Sequence, residues 1–162
     1  MKRTAVLDVV GLTTPLIERM PRLREFARGK DLRTIVPAFP AVTCTAQSTY
    51  LTGRTPAEHG IVGNGWYDRD LAEVHFWKQS NHLVRGRKLW KELREKVPGF
   101  TCAKLFWWYN MYSTADYSIT PRPMYPADGR KVFDVYTAPF DIRFAIKKDL
   151  GDKWDEVTGK KS

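Results

Sequence analysis

The stretch "VTCTAQSTYLTG", from Val42 to Gly53, predicts the element around which the rest of the chain is organised. Pro40 prevents regular structure just before this stretch. Ala46 and Tyr50 then recur at helical spacing, and the glycine at the end of the stretch is typical of a helix terminus. The pattern therefore predicts a short helix that begins at or near Thr43.

Thr43 has two possible roles at such a helix start. Its oxygen can cap the free backbone N–H groups of the first turn, which contributes on the order of 1 kcal/mol. The same N–H groups and the positive end of the helix dipole also favour a bound phosphate, which the Thr43 hydroxyl would then face. From the residues alone, both roles stay open.

The segments on either side alternate between strand and helix patterns. Apolar runs predict strands in "TAVLDVV" (4–10), "LRTIVPAF" (32–39) and "FTCAKLFWW" (100–108). Helical spacing predicts one broken helix or two short ones within 13–30, an amphipathic helix in 86–97 and a last helix in 138–150. The glycine-rich segment 60–70 is predicted to be a loop. Alternation of this kind predicts an α/β fold with a mostly parallel sheet and helices on both faces.

Composition and charge restrict the class of protein. The 162 residues carry a net charge of +9, but the basic residues are scattered among acids and no nucleic-acid-binding motif accompanies them. We therefore expect no specific nucleic-acid partner; binding through the basic residues and six tryptophans is the weakest hypothesis. Cys44 and Cys102 form no disulfide pattern, Asp8 interrupts the first apolar run, and no stretch has the length of a membrane span. We expect a cytoplasmic protein without a membrane partner.

A longer string that begins at Thr43 carries a family resemblance. The string "TCTAQSTYLTGRTPAEHGIVGNGWYDRD" (43–70) resembles the nucleophile region of the alkaline phosphatase superfamily, in its nucleotide pyrophosphatase/phosphodiesterase branch. The matching positions are Thr43, Thr52-Gly53, Pro56, His59-Gly60-Ile61, Asn64 and Trp66-Tyr67. The later string "CAKLFWWYNM" is similar to the strand and Trp-containing substrate loop of that branch, and "TPRPMYPADGRK" is similar to the loop that follows. The resemblance covers most of residues 4–150 and implies an alkaline-phosphatase-like fold.

The resemblance also implies an activity and cofactors. Thr43 would be the nucleophile of a metal-dependent phosphodiesterase or pyrophosphatase that forms a phosphothreonine intermediate. Two divalent metal ions, usually zinc, would activate Thr43 and hold the leaving oxygen of a small phosphate ester. The other hydroxyls of the helix would then be structural, and Cys44 would be packed rather than reactive.

The first predicted strand departs from the family pattern. The family has a metal-binding Asp just before a Gly, but here Val10 precedes Gly11 and the acid is Asp8. Residues two apart share a strand face, so Asp8 can still point toward the site, about 7 Å further back. The sequence allows Asp8 to be a metal ligand together with Thr43, or to have a structural hydrogen-bonding role.

The substrate contacts depart from the family pattern as well. The branch has an Asn three residues after the nucleophile, where this chain has Ala46. Gln47, Asn64 and Asn110 are the candidate amide donors to a phosphate oxygen. Asn64 between two glycines can equally be a turn residue.

Most of the metal ligands of the family are expected to be absent from this chain. Two zinc ions need about six or seven protein ligands, and the three histidines, His59, His75 and His82, have no tight ligand spacing. We therefore expect residues 1–150 to be the N-terminal part of a truncated alkaline-phosphatase-like catalytic domain. Residues 151–162 are expected to be a polar tail outside the family fold. The alternative function is a non-catalytic anion-binding or interaction fragment without the metal site.

Overall fold

The computed structural model describes residues 3–131 and 134–151 of the chain. It divides into two compact units, Met1–Val36 and Pro37–Ser162. The structure therefore defines the site predicted around Thr43 within the second unit.

The first unit contains two short helices, α1 (Thr14–Arg19) and α2 (Pro21–Ala27). Each has a proline in its first turn, where the missing N–H costs no hydrogen bond. The helix break falls at Met20, whose backbone is extended. Of the two alternatives that the sequence allowed here, one broken helix or two short ones, the structure has two short helices.

The strands predicted at 4–10 and 32–39 do not form. Both segments lack regular structure, and the apolar side chains that the pattern assigned to a sheet are exposed; they include Val6, Leu7, Val9, Val10, Ile35 and Val36. A β-branched run favours extended backbone, but a strand also requires a neighbouring strand to pair its N–H and C=O groups. No described residue provides that neighbour for either segment.

The second unit contains the remaining helices. These are α3 (Thr43–Thr52), α4 (Pro56–His59), a 3₁₀ turn (Asn81–Leu83), α5 (Leu89–Lys96) and α6 (Ile142–Leu150). The helices predicted after Pro40, in 86–97 and in 138–150 are thus confirmed. Gly53 ends α3 with a positive φ of 63°, a conformation that glycine adopts at little cost.

The strands form two small sheets. The first is a hairpin of β1 (Gly65–Asp68) and β2 (Glu73–Phe76), in which Trp66 lies opposite His75. The second has the order β3–β4–β5, with β3 (Ala103–Leu105), β4 (Tyr117–Pro121) and β5 (Val135–Ala138). The β3–β4 pair is parallel and β4–β5 is antiparallel.

The fold class is therefore mixed α/β, but the mostly parallel sheet is not confirmed. Among the described residues only one strand pair is parallel, because the first two predicted strands do not form. The loop prediction for 60–70 is also wrong at 65–68, which forms one strand of the hairpin. The glycine-rich composition is not typical of a strand, and the stability of this strand comes from cross-strand pairs with β2.

Two clusters of buried side chains hold the second unit together. One comprises Cys44, Ile61, Val84 and Tyr109, with Trp66, Leu83 and Trp108 packed against it. The other comprises Ile119 and Val135, with Ile146 and Leu150 of α6 packed against it. The first cluster fixes the buried side of α3 and so positions its N-terminus. Within the described ranges, no helix combines the length and apolar character that crossing a membrane requires.

Candidate functional site

Thr43 is the first residue of α3. Its side chain is half-buried, and its hydroxyl receives or donates no hydrogen bond among the described residues. The Thr43 oxygen therefore does not cap the helix. The backbone N–H groups of Thr43 and Thr45 likewise have no partner within the described part of the chain, whereas Ala46 donates to the carbonyl of Val42 at 2.9 Å. Unpaired donors and a hydroxyl thus lie together at the positive end of the helix.

Asn64 completes the first turn of α3 from a distant part of the sequence. Its Oδ1 accepts a hydrogen bond from the backbone N–H of Cys44 at 3.0 Å. This contact occupies the oxygen of the amide, while the Asn64 Nδ2 has no partner among the described residues. The structure therefore brings two predicted site residues, Thr43 and Asn64, to the same helix terminus.

Gln47 joins α3 to the loop after β3. It lies four residues after Thr43, which places both side chains on the same side of the helix. Its Oε1 accepts a hydrogen bond from the backbone N–H of Trp108 at 2.7 Å, and only 8% of the residue is exposed. The Trp108 indole also donates to the carbonyl of Lys78 at 3.0 Å. Gln47 thereby ties the aromatic loop to the helix that carries Thr43.

His59 fixes the opposite end of α3. Its Nδ1 accepts from the Ile61 N–H at 3.1 Å, so the neutral ring carries its proton on Nε2, which lies 3.0 Å from the Thr49 Oγ1. The side chain is fully buried, and burial lowers the pKa of His59 below its usual value of 6.5. His59 is therefore a neutral structural residue that joins α3 to α4.

The remaining polar side chains of α3 are structural or buried. Thr52 donates to the Ser48 carbonyl at 2.6 Å. Cys44 is fully buried, and burial raises the pKa of its thiol to about 11. The hydroxyls of Thr45 and Ser48 are buried without a partner in the described residues. A protonated, inaccessible thiol agrees with the expectation that Cys44 is packed rather than reactive.

Asn110 has a different environment from Asn64. It is fully buried, and its Nδ2 donates to the carbonyls of Ile119 at 2.8 Å and Lys104 at 3.3 Å. These bonds connect the loop after β3 to both β3 and β4. The structure therefore gives the Asn110 amide nitrogen a role in holding the sheet.

Asp8 lies in the first unit, in an exposed segment without regular secondary structure. Its role as a metal ligand stays a prediction. The described residues do not fit a two-metal site, because they contain no group of three or more His, Cys, Asp or Glu side chains that could hold an ion. Thr43 itself offers only one oxygen.

The sequence analysis missed two features of this unit. Lys104 is only 2% exposed, and burial lowers its pKa to about 7. Its Nζ lies 3.3 Å from the Tyr109 carbonyl oxygen and 4.8 Å from the centre of the Trp90 ring. The second feature is a cavity beside β4 and β5. Lys104 falls inside an apolar strand pattern, which was the one available signal that its ammonium group is buried.

Comparison with known proteins agrees with the resemblance seen in the nucleophile region. The sequence model of the type I phosphodiesterase / nucleotide pyrophosphatase family matches residues 4–160. Over 38 residues the chain is 42% identical to "Alkaline phosphatase PhoV" of Synechococcus elongatus, a segment that makes up 24% of this chain and 7% of that relative. The matched part is thus a small fraction of the relative's length. No solved structure shows significant similarity to the chain.

Proposed function

Because the chain belongs to the type I phosphodiesterase / nucleotide pyrophosphatase family, we propose that it hydrolyses a small phosphate ester with Thr43 as the nucleophile. The observation that supports this most directly is the 3.0 Å contact from Asn64 to the first turn of α3. This contact holds the Asn64 amide at the same helix terminus as Thr43, whose hydroxyl has no partner among the described residues. A cytoplasmic location belongs to the same proposal.

The helix terminus supplies the binding part of the mechanism. The N–H groups of Thr43 and Thr45 are available to hold two oxygens of a phosphate, and the helix dipole favours its negative charge. With its oxygen held by the Cys44 N–H, the Asn64 amide keeps its nitrogen for a third phosphate oxygen. Donors held in place before substrate binds stabilise the charge that develops on the phosphate in the transition state.

Two steps then complete the reaction. The Thr43 Oγ1 attacks phosphorus, the bond from phosphorus to the leaving oxygen breaks, and the hydroxyl proton ends on the leaving alcohol. Water then attacks the phosphothreonine, restores the Thr43 hydroxyl and releases the phosphate product. In both steps, the role of Gln47 is to hold α3 against the Trp108 loop through its 2.7 Å contact.

The nucleophile is tested by substitution at Thr43. The purified chain is assayed with bis(4-nitrophenyl) phosphate, with added zinc and with a chelator. We expect Thr43→Ala to lower the rate at least about 100-fold, and Thr43→Ser to keep part of the activity because it keeps the hydroxyl. Thr52→Ala is the matched control, since Thr52 lies at the other end of the same helix, where its hydroxyl donates to the Ser48 carbonyl and accepts from the Arg54 N–H. An unchanged rate for Thr43→Ala would show that this assignment is wrong.

The covalent intermediate gives an independent readout. Mass spectrometry of acid-quenched enzyme should find a phosphoryl group on the peptide that contains Thr43, and none in Thr43→Ala. The non-catalytic alternative retains the same unpaired N–H groups at the helix start. It predicts that inorganic phosphate binds to the chain while no nitrophenol is released and no adduct forms. These two outcomes separate an enzyme from an anion-binding protein.

A further inference from the structure

Trp77 follows the hairpin directly, and its backbone continues the pairing of the two strands. Gly65 of β1 lies opposite Phe76 of β2. The Trp77 N–H then donates to the Asn64 carbonyl at 3.0 Å. Asn64 in turn accepts the Cys44 N–H through its side-chain oxygen at 3.0 Å. Asn64 is therefore held by Trp77 through its main chain and contacts α3 through its side chain.

The Trp77 side chain contacts the loop that follows β3. The centres of the Trp77 and Trp108 rings lie 4.9 Å apart at an interplanar angle of 62°, an edge-to-face arrangement that aromatic pairs prefer. The Trp108 indole also donates to the carbonyl of Lys78, the residue after Trp77, at 3.0 Å. The Trp108 backbone N–H donates to the Gln47 side chain of α3 at 2.7 Å. Trp108 thus joins the end of the hairpin to the helix that carries Thr43.

These interactions form a closed circuit of contacts that begins and ends in α3. Its members, in order, are Cys44, Asn64, Trp77, Trp108 and Gln47. The contact between the two tryptophan rings is made by side chains alone. One substitution can therefore open the circuit without removing any of its hydrogen bonds.

The backbone on both sides of this ring contact has an unusual conformation. The φ angle is +52° at Trp77 and +54° at Tyr109, the residue after Trp108. Left-handed backbone is unfavourable for a bulky residue and persists where surrounding contacts hold it. At Tyr109 the carbonyl accepts from the Asn81 amide at 2.9 Å and from the Lys104 ammonium at 3.3 Å. Strain that is held in this way occurs preferentially at functional sites.

We propose that Trp77 is a positioning residue for phosphate ester hydrolysis, because its contact with Trp108 holds the Asn64 amide at the helix terminus that carries Thr43. This inference rests on the proposed function, in which the Asn64 nitrogen contacts a phosphate oxygen. Trp77 itself does not touch the phosphate. Donors that are held in place before the reaction stabilise the transition state, so a less constrained Asn64 lowers kcat more than it raises KM.

Trp77→Ala tests this because it removes the ring contact. Trp77 is 38% exposed and belongs to neither buried cluster, so the chain should still fold. With bis(4-nitrophenyl) phosphate we expect kcat to fall about three- to tenfold, the range that one aromatic pair supports, and KM to change less than about twofold. Trp77→Phe keeps a ring at this position and should retain most of the rate.

Phe140→Ala is the matched control. It removes another edge-to-face contact of the second unit, between the rings of Phe140 and Phe144 at 5.4 Å. This pair does not belong to the circuit, so kcat should stay at the natural value. A loss of rate in Phe140→Ala equal to that in Trp77→Ala would show that the effect is general, and the inference would be wrong.

A double variant separates positioning from a general structural role. If Trp77 acts through Asn64, Trp77→Ala should not lower kcat further in an Asn64→Ala background. A general loss of stability would instead lower the rate by the same factor in both backgrounds. Multiplication of the two effects would therefore contradict the inference.

Hydrogen exchange provides a readout that does not depend on activity. The Cys44 N–H bonds to the Asn64 oxygen, so its exchange should be about three- to tenfold faster in Trp77→Ala and unchanged in Phe140→Ala. The Gly53 N–H, which bonds to the Thr49 carbonyl at the other end of α3, is the internal reference. If the chain hydrolyses no phosphate ester, the proposed function fails, but this measurement still decides whether Trp77 holds Asn64. Natural exchange at Cys44 in Trp77→Ala would overturn the inference.

Discussion

The Oδ1 of Asn64 lies 3.0 Å from the backbone nitrogen of Cys44, so a side chain from a later turn satisfies the first turn of α3. The contact spans twenty residues of sequence. It gives Asn64 two separable properties: an oxygen that stabilises the helix and a nitrogen that is available to a ligand.

Asn64→Asp and Asn64→Ala separate these two properties. Asn64→Ala removes the acceptor and should lower the free energy of unfolding by about 1 kcal/mol, as loss of a helix N-terminal acceptor does. Asn64→Asp keeps the acceptor and adds a negative charge near the positive helix end, so its stability should stay close to that of the natural chain. Both substitutions remove the amide donor and should lower phosphate ester hydrolysis at least about tenfold. Urea unfolding and the nitrophenol assay measure the two effects.

Equal loss of stability in Asn64→Asp and Asn64→Ala would contradict this account of Asn64. It would mean that the oxygen contact does not stabilise α3. Full activity in Asn64→Asp would show instead that the amide nitrogen does not contact the phosphate.

His59 should make the second unit sensitive to acid. Because burial lowers its folded pKa below the usual value of 6.5, the unfolded chain takes up a proton before the folded chain does. Stability contributed by neutral His59 is therefore fully present above about pH 6.5 and is lost as the pH falls toward the folded pKa. The loss should not exceed about 1.4 kcal/mol per pH unit.

The measurement is urea unfolding at several pH values between 7 and 5. His59→Gln should show a smaller loss of stability over this range than the natural chain. The exposed His82 is the matched control, so His82→Gln should follow the natural chain. If both variants show the same pH dependence, His59 is not the residue responsible.

Lys104 should produce a second pH dependence on the alkaline side. Its folded pKa is about 7, whereas the usual value for lysine is 10.5. Between these values the unfolded chain holds a proton that the folded chain has lost, so stability should rise as the pH increases from 7 toward 10.5. The rise should be at most about 1.4 kcal/mol per pH unit.

Lys104→Met tests this because it keeps an unbranched side chain that is only one atom shorter and removes the titrating group. The variant should be more stable than the natural chain at pH 7 and should lack the alkaline rise. Lys96→Met, which changes an exposed lysine at the end of α5, is the control and should retain the alkaline rise in stability. An alkaline rise that survives in Lys104→Met would assign the effect to another group.

Cys44 should be unreactive in the folded chain. Its thiol is fully buried and has a pKa of about 11, so little thiolate exists at pH 8. In a Cys102→Ser background, iodoacetamide should label Cys44 only after the chain is unfolded in urea. Labelling of the native chain at the rate of a free thiol would contradict the burial of Cys44.

Local patterns in the sequence were sufficient for most of the helices. The spacing from Ala46 to Tyr50 and the glycine at 53 predicted α3, and the amphipathic pattern in 86–97 predicted α5. Helices form hydrogen bonds within one segment, so the residues that determine them are close in sequence. The family followed from the spaced residues after Thr43, which the match over residues 4–160 confirmed.

The strands and the site contacts required the tertiary structure. Val6 and Ile35 lie in runs with strong strand propensity, yet neither run is paired, because a strand depends on partners that its own residues do not specify. The hairpin of β1 and β2 was missed because its own residues have a loop-like composition, and its stability comes from residue pairs across the turn.

The sequence alone determined that a threonine begins a short helix and that this helix belongs to a phosphodiesterase-like chain. Only the tertiary structure decided that Asn64 completes the helix terminus, while Asn110 donates to the carbonyls of the sheet. Both are asparagines near aromatic residues, and propensity does not distinguish them. The difference arises because a side-chain hydrogen bond depends on which distant segment the folded chain brings within about 3 Å.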